Sequence, residues 1–403
     1  MPPVDPVIPA ETTVPLSLPD VSDLTLEQKI GQMLCLGWDG PGCLLDINEQ
    51  AREAVQELHA GSMILMGRNV RTPLSDTIDI TGVRAMTERL QALSPDIPLL
   101  VSTDQEGGQV TRLQLPPFTP LPSARTLGRA GDPALACAVA RLSGLELAAV
   151  GIQVNYAPVA DVDSNPANPV IGDRSFGDTA TTAAFVTTQI QGFTEAGTLS
   201  CAKHFPGHGD TYQDSHYALP SVAEPFSVLE ERELPPFRAA IVAGIPAIMT
   251  AHILYPSVDN TGLPATLSAF WLTEILRNQL GFDGLIVTDC LEMRAVADHW
   301  GTARAAVLSA RAGADLLLIC HTRERQRAAY EALLEAAHSG ELPLSRIEDA
   351  VRRVLAAKRR FLTRPQPPLS IIGCEAHRRI VEPIFAASRD RMRLTVLGEA
   401  APA

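Results

Sequence analysis

Short apolar runs alternate along this chain with longer stretches in which apolar positions recur every three or four residues. The runs are Met33–Leu36, Ser62–Met66, Leu99–Ser102, Gln153–Pro158, Leu199–Lys203, Ala247–Ala251, Leu285–Thr288 and Asp315–Ile319. Between them lie stretches of helical period, among them Asn48–His59, Pro133–Ala149, Thr179–Glu195, Phe226–Val242, Ser268–Leu280 and Ala303–Ala312. Runs without polar alternation are buried on both faces, and strands of that kind separated by helices pair in parallel. Eight such units predict an α/β fold closed into a (β/α)8, TIM-type barrel rather than an open sheet.

The two ends of the chain break this rhythm. Residues 1–22 carry six prolines and few bulky apolar residues, which predicts an extended arm. Thr25 is placed to cap a first helix, so the barrel domain is expected over 23–363, with Arg323–His338 and Leu344–Phe361 as its last helices. Arg364–Pro368 makes a stiff break. The remainder of 364–403, a helical pattern over 374–397 with a short apolar end at Leu394–Leu397, is too short for a second domain. The run Ala239–Ile253 is nearly all apolar, but Gly244-Ile245-Pro246 divides it into a helix end and a buried strand, not a membrane span.

Charge and cysteine content narrow the setting. A net charge of −13 argues against nucleic acid or an anionic membrane as partner and leaves a small or neutral ligand, with a monomer as the expected state. The 7 cysteines are scattered through apolar runs without a C-x-x-C pair, as expected of reduced thiols in a cytosol. Cys290 is assigned packing only. The N-terminus has neither a basic segment nor an apolar core of the kind a secretion signal needs, so a cytoplasmic location is expected.

The unusual polar residues fall where the predicted strands end. Asp104 follows the third run, Arg174 lies in the loop after the fourth, Lys203 and His204 end the fifth, His252 ends the sixth and Asp289 ends the seventh. Barrel enzymes carry their reactive groups on that rim. The densest stretch is Lys203–His216, with His204, His208, Asp210, Asp214 and His216 in one loop broken by Pro206-Gly207. Desolvating so many polar groups is costly unless each is paired, so the stretch reads as an active-site loop. Asp289, directly after a buried run, is placed to act as a nucleophile, a base or a metal ligand. Asp104 and Arg112 offer an acceptor and planar donors suited to sugar hydroxyls, or a plain ion pair. Arg174 has the comparable alternative of pairing with Asp173 or Asp178.

Two chemistries fit the loop. In one, His204, His208 and His216 with Asp210 or Asp214 hold zinc in a barrel metallohydrolase. In the other, no metal or cofactor is used: Asp214 orients His216 as a general acid/base, opposite Asp289 as nucleophile. The ammonium of Lys203 beside the site would repel a divalent cation and favours the metal-free reading. A non-catalytic sugar-binding barrel would also use Asp104, Arg174 and Lys203, but leaves the Asp214–His216 pair without a task.

With these residues in hand, the sequence resembles glycoside hydrolase family 3, in its β-N-acetylglucosaminidase branch. The resemblance rests on Asp104-Gln105-Glu106-Gly107-Gly108, Arg112, Ala157–Val162 leading to Arg174, Lys203–Gly209, Asp214-Ser215-His216 and Thr288-Asp289, and covers roughly 24–362. It implies a barrel without metal in which Asp289 attacks the anomeric carbon. His216, paired with Asp214, protonates the leaving oxygen, while Asp104, Arg112, Arg174, Lys203 and His204 hold the sugar. The implied activity is retaining removal of terminal β-linked N-acetylglucosamine from peptidoglycan fragments or muropeptides. A β-glucosidase and a phosphorylase on the same scaffold remain as alternatives. The usual acid/base in retaining enzymes is a carboxyl group, so His216 is a departure belonging to this branch.

Overall fold

The computed structural model describes residues 16–40, 45–71 and 75–398, with side chains as far as Ala387. Most of the predicted arm, residues 1–15, therefore lies outside the described residues. Its last residues are irregular as far as Asp20, and the chain then makes a single 3-10 turn, Val21–Asp23. The first helix, Leu26–Gln32, starts where Thr25 predicts: its hydroxyl accepts the Gln28 N–H, and the Gln28 side chain returns to the Thr25 N–H.

Eight parallel strands form the barrel: β1 (Leu34–Leu36), β2 (Ser62–Leu65), β3 (Leu100–Thr103), β4 (Val154–Asn155), β5 (Leu199–Phe205), β6 (Ala247–Thr250), β7 (Leu285–Val287) and β8 (Leu317–Ile319). They are hydrogen-bonded in the order β8-β1-β2-β3-β4-β5-β6-β7. A parallel bridge between Val287 and Leu316 joins β7 to β8 and closes the barrel. Side chains alternate along each strand, so one set fills the lumen and the other meets the helices. Cys35, Ile64, Leu100, Val154, Tyr156, Cys201, Met249 and Leu318 form the inner cluster, and Leu34, Leu36, Met63 and Leu65 belong to the outer one.

Helix Pro133–Ala149 spans its predicted range and Thr179–Ala196 runs one residue past its own, but the predicted helix Phe226–Val242 is two, Phe226–Arg232 and Leu234–Val242. Pro235 and Pro236 explain the break: neither can donate back to the preceding turn. Ser268–Leu280 becomes a π-helix over Phe270–Gln279. Ile80–Ala92, Ala124–Ala130 and Arg294–Trp300 are helices the pattern did not single out. The C-terminal pattern is one helix, Glu375–Gly398, which contains the apolar end. It is tied to the barrel through buried Glu146, which accepts from the Gly373 N–H at 2.9 Å and from His377 Nδ1 at 2.8 Å. Among the described residues, no helix is long and apolar enough to cross a membrane.

One buried group works against stability. Lys358 on helix Leu344–Phe361 is fully buried, and its Nζ donates to Gln32 Oε1 at 2.7 Å, with no carboxylate partner among the described residues. Burial pulls its pKa from 10.5 down to about 7. The unfolded chain therefore binds more protons at neutral pH, and stability should rise as pH increases from about 7 towards 10.5. Lys358→Met should raise the unfolding free energy by roughly 2–4 kcal/mol at pH 7 and abolish that slope. Urea melts at several pH values measure both; a less stable variant would contradict the assignment.

Candidate active site

The rim of the barrel is built from β3 onward. Beyond Thr103 the chain folds into a small hairpin, Gln105–Gly107 with Val110–Thr111, pinned to β4 by Asn155, which accepts the Gln105 N–H at 2.9 Å and donates to its carbonyl at 3.0 Å. Gly107 has φ +100°, and a Cβ there would stand 2.2 Å from the Pro122 carbonyl oxygen, so only glycine makes this turn. The extended chain puts Asp104 and Glu106 on the same side, two residues apart. Both meet Lys203 from β5, whose Nζ lies 2.8 Å from Asp104 Oδ1 and 2.6 Å from Glu106 Oε1.

Two arginines complete this network. Arg112 donates to Asp104 Oδ2 at 3.0 Å, and Arg174 grips Glu106 with Nε and Nη2, each at 2.9 Å. Burial opposes the charge on both carboxyl groups, but Lys203 with Arg112 outweighs it at Asp104, and Arg174 with Lys203 at Glu106. Both stay below the ordinary carboxylate range. The same acids overcome burial at Lys203 and Arg174 and raise their pKa values. Arg174 thus pairs with Glu106 and not with Asp173 or Asp178. Asp178 instead caps helix Thr179–Ala196 through the Thr181 N–H.

His204 lines the cavity beside this network. Its Nδ1 lies 2.7 Å from Asp161 Oδ2 and its Nε2 lies 3.3 Å from Arg174 Nη2. A guanidinium can only donate, so Nε2 accepts and Nδ1–H donates to Asp161. Asp161 also accepts the backbone N–H groups of His204 and His208, which makes it the anchor of the strand-to-loop turn.

The next loop sorts its polar residues into two kinds. His208 is buried, with Nδ1 2.9 Å from Thr211 Oγ1 and Nε2 3.1 Å from Ser215 Oγ. Burial lowers its pKa to about 4, so it is a neutral packing group at pH 7. Asp210 is bound by Arg232 at 2.5 Å. Asn168 donates to the carbonyls of His208 and Gly209, and Tyr255 donates to that of Gly207, which hold the base of the loop. Further along, Asp214 Oδ1 accepts the His216 N–H at 2.8 Å and lies 2.7 Å from its Nδ1. The His216 side chain keeps 58% of its surface exposed. The zinc constellation is not assembled: among the described residues, no three ligand-type groups of this stretch converge on one point.

Asp289 lies just beyond β7, and its Oδ1 accepts the Cys290 N–H at 2.7 Å. Burial opposes its charge, but the imidazoles of His252 and His204, the Cys290 N–H and Lys203 outweigh it, so its pKa falls below the ordinary value. His252 is a buried brace: its Nδ1 lies 2.8 Å from Thr266 Oγ1, and its Nε2 donates to the Cys290 carbonyl at 3.0 Å. The backbone N–H of Ala295, on the helix after Asp289, donates to the Ser215 carbonyl at 3.3 Å and ties the His216 loop to the β7 end. The result is one cavity of about 260 Å³ lined by Asp104, Arg112, Arg174, Lys203, His216 and Asp289.

All eight sequence-derived site residues thus gather on one rim. Glu106 and Asp161 stand in the same motifs, yet neither has a task assigned from sequence. For Glu106 the available signal was its two-residue offset from Asp104; for Asp161 no local signal existed. An ionised carboxylate, an imidazole–carboxylate pair and a ring of hydroxyl-binding groups around one small cavity suit the transfer of a glycosyl group.

Fold and site together define a barrel glycoside hydrolase. The chain belongs to glycosyl hydrolase family 3: residues 25–357 match the Glycosyl hydrolase family 3 N terminal domain. It is 37% identical over 294 residues to a β-hexosaminidase of Chromobacterium violaceum, covering 71% of this chain and 79% of that one. It is 33% identical over 398 residues to β-hexosaminidase A of Pseudoalteromonas piscicida, covering 89% of this chain but 65% of the relative's length. A solved family 3 β-N-acetylglucosaminidase from Paenibacillus sp. str. FPU-7 superposes with a TM-score of 0.83 at 42% identity, over 90% of this chain and 68% of that one.

Proposed function

We propose that this protein is a retaining, exo-acting β-N-acetylglucosaminidase working through a covalent glycosyl-aspartate. The observation that carries the reading is that Asp289 and His216 line the same cavity although they come from different strand ends. Asp289, ionised at neutral pH, attacks the anomeric carbon. His216, oriented by Asp214, protonates the departing oxygen and then takes the proton of the incoming water. Asp104, Arg112, Arg174 and Lys203 hold the hydroxyls of the terminal sugar. His204, which lines the same cavity, joins them and also fixes Arg174 and the turn at Asp161. The names of the relatives support N-acetylglucosamine as the sugar, and peptidoglycan fragments in the cytoplasm, met by a monomer, belong to the same proposal.

His216→Ala tests the acid/base role. Activated aryl N-acetylglucosaminides leave with little proton assistance and should lose no more than ~10-fold in glycosylation, whereas unactivated disaccharides should lose on the order of 10³-fold. Equal losses on both would remove His216 as the acid. A neutral imidazole also repels an incoming anion less than a carboxylate does. Product analysis in phosphate buffer checks the acceptor: free sugar supports hydrolysis, and a sugar phosphate makes the protein a phosphorylase.

A further inference from the structure

The wall of the cavity next to Asp289 holds chemistry that glycosyl transfer does not use. Cys290, Cys320 and His321 all line the cavity. The Cys290 sulfur, a Glu292 carboxylate oxygen and a His321 ring nitrogen lie within 4.8 Å of one another. His321 is held from behind: Arg68 Nη1 lies 3.1 Å from its Nδ1, while Arg68 Nη2 donates to the Cys320 carbonyl at 2.6 Å. Because the guanidinium can only donate, Nδ1 accepts, and the ring keeps its proton on Nε2 as a donor. Glu292 is locked by the backbone N–H groups of His321 and Thr322, at 2.6 and 3.0 Å.

We propose that Cys290 is a covalent-modification site in the wall of the sugar cavity, where its thiolate reacts with a hydroperoxide and then joins Cys320. The partners come from neighbouring strand ends: the Leu291 N–H donates to the Leu318 carbonyl at 2.9 Å, which sets Cys290 alongside the segment that leads to Cys320. The neighbouring Cys320 thiol and, after the opposing effect of burial, the His321 ring lower the Cys290 pKa and favour its thiolate, the nucleophilic form. Elsewhere burial prevails: it raises Cys35, Cys137 and Cys201, and Cys320 is raised by the neighbouring Cys290 and by burial.

In the reaction, the Cys290 sulfur attacks one oxygen of hydrogen peroxide. An S–O bond forms, the O–O bond breaks, and the departing hydroxide takes a proton to become water. The sulfenic acid then loses water on attack by the Cys320 sulfur as the S–S bond forms; the peroxide is the two-electron oxidant. The Cys290 N–H carries Asp289 Oδ1, so tethering residue 290 shifts the carboxylate, and the oxidised protein should lose hydrolysis.

The first step is tested on the reduced protein with limiting iodoacetamide at pH 7 and peptide mass spectrometry. Simple accessibility favours half-buried Cys137 and Cys374 over Cys290, which is 8% exposed. Activation predicts the opposite order, with Cys290 labelled at least ~10-fold faster. Labelling of Cys137 or Cys374 ahead of Cys290 would overturn the proposal. Hydrogen peroxide should then give a Cys290–Cys320 cross-link and loss of activity, both reversed by dithiothreitol. In Cys320→Ser the reaction should stop at a sulfenic acid that dimedone captures. Oxidation without that cross-link, or a fully cross-linked protein with unchanged turnover, would also overturn it. The labelling order and the cross-link are read by mass, so they stand or fall separately from the sugar specificity.

Discussion

Asp289→Asn should abolish turnover of aryl N-acetylglucosaminides by about 10⁴-fold or more, equivalent to over ~5 kcal/mol of barrier, while the folded protein still binds N-acetylglucosamine. The amide oxygen can still accept the Cys290 N–H, so the local backbone is kept. What is lost is the negative charge that the surrounding imidazoles and Lys203 maintain in a buried position. No other described carboxylate replaces it, since Asp104 and Glu106 are each held by two cations. Steady-state kinetics with binding calorimetry decides the point. Retained kcat would remove Asp289 as nucleophile, and lost binding with near-normal kcat would make it a sugar contact.

The second large effect is on stability as well as activity. Lys203→Met leaves Asp104 and Glu106 facing each other with one cation each, in a site where the lysine side chain is 3% exposed. Breaking a buried charge pair from one side costs roughly 3–5 kcal/mol. The pH dependence follows from the direction of the shifts. In the native protein both carboxyl groups lie below their ordinary values of 3.8 and 4.5, so their stabilisation is present above those values and fades as pH falls through the lower folded ones. Without Lys203 the folded values rise, and acid unfolding followed by circular dichroism should begin at higher pH. Combining Asp104→Asn with Lys203→Met should cost less than the sum of the two changes. Strict additivity would mean that the contact carries no coupling energy.

The elements were readable wherever local pattern suffices. All eight strands fall within or against the predicted apolar runs, and the rim residues Asp104, Lys203, His204, His252 and Asp289 follow from where those runs stop. Thr25 announced its helix because a cap is a contact across three residues. Errors arose where local signals mixed: the Phe226–Val242 pattern kept helical periodicity through Pro235-Pro236, and the histidines of the Lys203–His216 loop look alike in sequence although His208 is buried and His216 exposed.

The chain order settles the succession of strands and which side chains stand at their ends, since strand and helix faces are set by neighbours a few residues away. Pairing is a different matter. Lys203 meets Asp104 across 99 residues, Arg174 meets Glu106 across 68, and His204 meets Asp161 across 43. Those partners are chosen by barrel closure, which brings remote strand ends within a few ångströms and buries them together. There, water no longer screens or satisfies them, and each charge must take the counter-charge that the closed rim presents.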